Sequence, residues 1–213
     1  MKALVVVAHD DDAAAWMGGT IRRQREWEWT VISLCKWAGR ELNRGYFADT
    51  CELLQVTTRI ASPFIDNQDN RWNDVKKMKQ FITKALQDKT FDYVFTHSRA
   101  PGGEYGRHAN HEETREAVVS LVQEGKLTGS VQNIVYFAYK SCQPDPAAPF
   151  CVYLTPQEVK VKKQTLASTI IRGDMEGLGL WDSQLGEIRC HNWEAFDTDS
   201  PTMPPSFSPT HPT

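Results

Sequence analysis

Ala3-Leu4-Val5-Val6-Val7-Ala8-His9-Asp10-Asp11-Asp12 opens the chain with an apolar run that stops abruptly in a histidine and three carboxylates. A continuous aliphatic run with three β-branched valines suits a strand buried on both faces, the condition of a parallel sheet. The polar residues that follow are not packing material. Carboxylates crowded at a strand terminus repel one another unless a cation neutralises them, and an adjacent imidazole suits a borderline cation such as zinc. The stretch sets two expectations at once: a parallel sheet, and a metal site at the carboxyl end of its first strand.

Working outward, strand-like runs alternate with helix-like ones. Lys2 to Ala8 reads as the first strand, Thr20 to Glu26 lies within the first helix, and Trp29 to Cys35 is a second strand. A helix pattern runs from about Arg40 to Leu54, and Thr57 to Ile65 holds a third strand. From about Asn73 to Gln87, Val75, Met78, Phe81, Ile82 and Ala85 recur at helical spacing. Asp92 to Thr96 is a short β-rich run, His108 to Glu124 reads as helix, and Val131 to Tyr139 is dense in β-branched and aromatic residues. Thr155-Pro156-Gln157-Glu158 carries an N-cap, a proline at the first helical position and a glutamate at the third, and so starts a further helix. The alternation predicts an α/β fold, a Rossmann-like mostly parallel sheet flanked by helices, with ligands bound at the carboxyl ends of its strands. One domain is expected over residues 1–198. Residues 199–213 hold Pro201, Pro204, Pro205, Pro209 and Pro212 among Ser and Thr, a composition that predicts a mobile tail outside the core.

The 213 residues suit one sizeable domain, and 40% hydrophobic with 24% charged residues is the balance of a soluble globular protein. A net charge of -3 without a basic cluster argues against a nucleic-acid partner. The N-terminal apolar run is too short for a signal peptide, and no segment reaches the ~20 apolar residues of a membrane span. Five cysteines, odd in number and without CxxC spacing, read as thiols of a reduced compartment, which makes the cytoplasm the expected location. Self-association into a homo-oligomer stays open.

The second chemically dense segment is Thr96-His97-Ser98-Arg99-Ala100-Pro101-Gly102-Gly103-Glu104-Tyr105-Gly106-Arg107-His108-Ala109-Asn110-His111. It also follows a strand, and four of the six histidines of the chain (His9, His97, His108 and His111) fall in these two segments. His108 and His111 are three apart, so at a helix start they share a face and can point at one centre. Histidine pairs beside clustered carboxylates are zinc-type ligands.

Ala8-His9-Asp10-Asp11-Asp12 resembles the AHPDDE signature of the LmbE/PIG-L family of zinc-dependent N-deacetylases. The Gly103-Glu104-Tyr105-Gly106 turn followed by HxxH resembles that family's second motif. Leu53-Leu54-Gln55-Val56, Asp66 and Leu154-Thr155 fall in matching order, so the resemblance covers roughly residues 1–170. Departures are Asp10 for a proline, Ala13 for a glutamate, Arg107 as an extra residue, and Ala109-Asn110 for Pro-Asp. They bear on substrate choice more than on chemistry.

The resemblance implies a metal-dependent hydrolase that removes an N-acetyl group from an N-acetylglucosamine-type sugar or sugar conjugate. By match to its motifs, His9, Asp12 and His111 would hold Zn2+ or another divalent transition metal, Asp11 would be the general base, and His108 would stabilise the oxyanion. Asp10 reads as a solvated turn residue. The partner implied is a small N-acetylated sugar or glycoconjugate. Arg71 and Trp72, with Trp37 and Arg40 on another loop, are residue types that suit a sugar ring, and Glu104 and Tyr105 lie in the motif loop. Two other readings stay open. One is a catalytically silent metal- or glycan-binding relative. The other is a receiver-type phosphoacceptor domain, which would use Asp11-Asp12, Asp66, Thr96 and Lys140 in that order around magnesium.

Overall fold

The computed structural model of the chain describes residues 1–37, 44–66, 74–100, 108–140, 143–170 and 191–200, together with Met203 and Phe207. Its elements follow the chain as β1 (Lys2–Val7), α1 (Asp12–Arg23), β2 (Glu28–Trp37), α2 (Arg44–Leu54), β3 (Thr58–Asp66), α3 (Val75–Leu86), β4 (Tyr93–Thr96) and α4 (Ala109–Gln123). A 3-10 turn (Val131–Asn133) then leads to β5 (Ile134–Phe137), β6 (Tyr139–Lys140), β7 (Gln143–Pro144), β8 (Phe150–Tyr153), α5 (Pro156–Ile170) and β9 (Trp193–Thr198).

Seven strands form one sheet in the order β3-β2-β1-β4-β5-β9-β8. The first five run parallel; β9 lies antiparallel to both β5 and β8. A small hairpin, β6–β7, stands apart. The expected Rossmann-like, mostly parallel sheet is therefore present. The antiparallel extension has no counterpart in the sequence expectations, because β9 pairs with strands remote from it in the chain and its Trp193–Thr198 run carries two acids among its apolar residues.

Alternation along β1 feeds two cores. Ala3, Val5 and Val7 join residues of α1, α2 and α5, including Trp16, Leu54 and Leu166. Leu4 and Val6 join Met78, Ile82 and Leu86 of α3 and Ala117, Val118 and Leu121 of α4 on the other face. The strand is buried on both sides, as a continuous aliphatic run requires.

Helix ends follow local chemistry. Asp74 caps α3, its side chain accepting from Lys76 N at 2.9 Å. Thr155 and Glu158 cap α5 reciprocally: Glu158 Oε2 accepts from Thr155 N at 2.7 Å, and Glu158 N donates to Thr155 Oγ1 at 3.3 Å. The first helix ends at Arg23, three residues short of the expected Glu26.

The expected coreless tail does not hold at Phe207. This residue is only 3% exposed, with its ring 5.2 Å from Phe196 and 6.2 Å from Phe95. Met203 packs against the same core. A single aromatic within a proline-rich segment has no periodicity to announce its burial, so only the sheet that receives it reveals the contact.

Candidate metal centre

The sheet turns around β1. The chain steps to β2 on one side and later returns to β4 on the other, leaving a crevice between two carboxyl ends, the usual ligand position in such sheets. After β1 the backbone tightens, with Asp12 N donating to His9 O at 3.3 Å. Asp12 thereby becomes the first residue of α1, and Asp11 its N-cap. Across the crevice β4 ends at Thr96 and delivers His97. His108 is the N-cap of α4 and spends no side-chain hydrogen bond on capping, while His111 sits in the first turn of that helix.

Three side chains converge. His9 Nδ1 lies 3.2 Å from Asp12 Oδ2 and 3.2 Å from His111 Nε2, and His111 Nε2 lies 3.5 Å from Asp12 Oδ2. Zinc with nitrogen or oxygen ligands at ~2.0–2.1 Å places neighbouring tetrahedral ligands ~3.3 Å apart. The triangle of donor atoms has edges of that length. All three residues are buried, so one face of a coordination shell is already assembled. Three further candidate groupings border it: His108 stands with His9 and His111, His97 with Asp12 and His111, and Asp11 with His9 and Asp12, all with potential ligand atoms within 4.8 Å of one another.

Asp12 is held from several directions. Its Oδ2 accepts the backbone N–H of His9 at 2.7 Å, and its Oδ1 accepts Trp16 Nε1–H, one helical turn on, at 3.2 Å. Burial alone would raise its pKa. The nearby imidazoles of His111, His9 and His97, with the hydrogen bond to His9, outweigh burial and hold the carboxyl well below the usual carboxylate range. The group is therefore an anion with partners, the form a cation needs.

His97 has no assigned role in the sequence reading, yet the structure places it in the cluster. It is 1% exposed, stacks on His111 with ring centroids 3.9 Å apart, and approaches Asp12 Oδ2 to 3.5 Å. Its Nε2 accepts the Ala8 N–H at 2.8 Å, so it ties the end of β1 to the end of β4. Its clue in the sequence is a histidine directly after the short strand Tyr93–Thr96, close to the carboxyl end of a strand as His9 is. Trp16 was also missed, and its spacing of four from Asp12 on one helix face is the clue.

Asp11 is half-buried at the mouth of the crevice, beside the triangle. The His108 ring stacks on His111 at 4.6 Å and meets His9 edge-on at 4.8 Å. Ala13 is 1% exposed within the core packed against α5, so its departure from the family glutamate falls in packing. Arg71, Trp72, Glu104 and Tyr105, with Arg40 and Arg107, lie outside the described residues, as does the Trp37 side chain.

The receiver reading fails on topology. Asp66 ends β3, an edge strand paired with β2 and not with β1, so β2 intervenes between it and the acids that follow β1. Thr96 is wholly buried and donates its hydroxyl to Val6 O at 3.0 Å, leaving no exposed hydroxyl for a phosphoryl group.

The model of the PIG-L family, GlcNAc-PI de-N-acetylase, matches residues 4–122, more than half of the 213-residue chain. The chain belongs to this family of de-N-acetylases. No curated protein sequence matches it. Among solved structures it resembles N,N'-diacetylchitobiose deacetylase from Pyrococcus horikoshii, at 16% identity and a TM-score of 0.66, covering 94% of this chain and 86% of that one. The conserved protein TT1542 from Thermus thermophilus gives 18% identity and a TM-score of 0.64, covering 94% and 95%. A triple mutant of a deacetylase of the teicoplanin biosynthetic pathway gives 15% and 0.65, covering 88% and 89%. These likenesses show the fold. Among the described residues no helix is long and apolar enough to cross a membrane.

Proposed function

We propose that the chain is a zinc-dependent deacetylase that hydrolyses the acetamide of an N-acetylglucosamine-type sugar or sugar conjugate, releasing acetate and a free amine. The observation that carries this is the triangle formed by His9 Nδ1, Asp12 Oδ2 and His111 Nε2, with edges of 3.2, 3.2 and 3.5 Å, at the crevice of a de-N-acetylase family fold. The donor set of two imidazoles and one carboxylate fits a catalytic zinc, which takes three protein ligands and keeps an open position. A divalent cation held there supplies Lewis acidity towards an amide carbonyl and towards water.

The protein's own groups do the rest. Asp11, outside the triangle but adjacent to it, accepts a proton as water attacks the acetyl carbon and returns a proton to nitrogen as the C–N bond breaks. His108, whose ring borders His9 and His111, donates towards the oxygen on which negative charge develops. Arg71, Trp72, Glu104 and Tyr105 are proposed as sugar contacts on the loops around the crevice. We assign catalysis to residues 1–198 as one unit and place the protein in the cytoplasm, a reading supported by the buried thiols of Cys51 and Cys151 among the described residues.

The test couples metal analysis of the purified protein to acetate release from a panel of N-acetylated sugars and glycoconjugates. Near-stoichiometric zinc, lost in His111→Ala, with acetate from at least one substrate is the expected result. Asp11→Asn should keep its metal and lose at least ~100-fold in turnover. Loss of metal in that variant would move Asp11 into the ligand set, and a wild-type protein without affinity for any divalent transition metal would sink the reading.

A further inference from the structure

Helix α1 is broken. Met17, at φ -148° and ψ 19°, is non-helical between two helical pieces. In an unbroken helix the Gly19 and Thr20 amides would pair with the carbonyls of Ala15 and Trp16. Here Gly19 N donates to Glu194 Oε1 at 2.9 Å and Thr20 N to Glu194 Oε2 at 2.8 Å, with the Thr20 hydroxyl adding a bond to Oε2 at 2.6 Å. Glu194 of β9 thus caps the second piece from the side. Lys162 of α5 completes the arrangement with Nζ 2.7 Å from Glu194 Oε1, and both side chains are 0% exposed. On the other side of the break, the Trp16 carbonyl accepts the Tyr139 hydroxyl at 3.0 Å, and the Tyr139 ring meets the Trp16 ring edge-on at 4.7 Å.

The chemistry is specific. Both carboxylate oxygens accept backbone N–H groups, and an amide in that place has one oxygen and would turn its own hydrogens on a donor. A buried ion pair is seldom more stabilising than apolar residues of the same volume, so its use lies in selecting one geometry. The piece of helix before the break carries Asp12 at its start and Trp16 at its end, joined by the indole N–H at 3.2 Å.

We propose that Glu194, Lys162 and Tyr139 are positioning residues for Asp12. They hold α1 broken at Met17, fix the Trp16 peptide and ring, and so keep the indole hydrogen bond that orients the Asp12 carboxylate towards His9 and His111. This rests on Asp12 being a metal ligand. It places part of the machinery in β9 and α5, beyond the residues matched by the family model.

The experiment measures Zn2+ and Co2+ affinity by chelator competition, with thermal unfolding to verify the fold. Glu194→Gln combined with Lys162→Met removes both buried charges together. It should stay folded and bind metal at least ~10-fold more weakly, the scale of losing a group that orients a ligand. In a Trp16→Phe background the same pair of changes should cost nothing further, because the effect passes through the indole. Tyr139→Phe, which leaves the ion pair intact, should lower affinity in the same direction and decides the matter alone if the double variant does not fold. Undiminished affinity in the folded variants, or losses that simply add to that of Trp16→Phe, would overturn the proposal. A wild-type protein that binds no metal would instead overturn the functional reading beneath it.

Discussion

Replacing Phe207 by alanine tests whether the proline-rich segment belongs to the core. The ring is 3% exposed and touches two aromatic neighbours, Phe196 edge-on at 5.2 Å and Phe95 in a stacked arrangement at 6.2 Å. Phe→Ala in a core costs ~3–5 kcal/mol, of which aromatic pairs contribute ~0.5–1.5 kcal/mol each. Phe207 itself lies in neither a helix nor a strand, so the site can close partly behind it and the lower end, ~3 kcal/mol, is expected. For a domain of this size each kcal/mol shifts Tm by ~2–4 °C, which gives a fall of ~6–12 °C. Urea midpoints at an unchanged slope should report the same loss. Metal affinity should be unaffected, since the rings Phe207 packs on, Phe95 and Phe196, are not ligand residues. A fall of less than ~2 °C would refute the reasoning and return residues 199–213 to the role of a tail without a part in folding.

Other consequences are equally open to measurement. A Cβ on Gly19 would stand 2.4 Å from both Leu154 Cδ atoms, so Gly19→Ala should destabilise by ~1–3 kcal/mol, and combining it with Leu154→Ala should cost less than the sum of the two. Thr155→Ala removes one half of the α5 capping box and should cost ~1 kcal/mol in thermal or urea unfolding. Burial works against the Glu158 carboxylate, but the Arg23 guanidinium and the Thr155 amide hold its pKa below the usual range. Its stabilisation is therefore present at neutral pH and lost as pH falls through that depressed value. Glu158→Gln should accordingly lower Tm at pH 7 and converge with wild type in acid. Burial pushes the Cys51 thiol up to about 12, so mass-spectrometric mapping at pH 8 should find Cys51 unlabelled in the folded protein and labelled after denaturation.

Much of this arrangement is legible in the sequence wherever it depends on short-range order. The aliphatic run of β1 announces burial on both faces, the box at Thr155–Glu158 announces a helix start, and HDDD after the strand announces clustered ligands. What escapes is whatever depends on partners distant in the chain. Nothing near Trp193 tells that β9 will slot between β5 and β8. His97 passes as a loop residue until β4 is known to lie beside β1. The break at Met17 precedes two glycines, yet its cause is a carboxylate from the far end of the chain. Asp66 shows the converse error: a suggestive acid at a strand end carries no shared chemistry with Asp11 once its strand is found at the sheet's edge.

The position of β9 also orders the route to the native state. Its neighbours β5 and β8 are both complete before it, and all of α5 with residues 171–192 separates it from β8. The five parallel strands rely on crossovers between successive segments, whereas closing β9 into its slot requires one long loop to shut. Until that happens the β5 edge stands open as a template for a second molecule, β8 lacks the one strand it pairs with, and Lys162 lacks its counter-ion. The late step of folding is therefore also the hazardous one. Refolding at high protein concentration should lose yield before β9 docks, and slowing that docking with Glu194→Ala should increase aggregation more than its equilibrium cost alone accounts for.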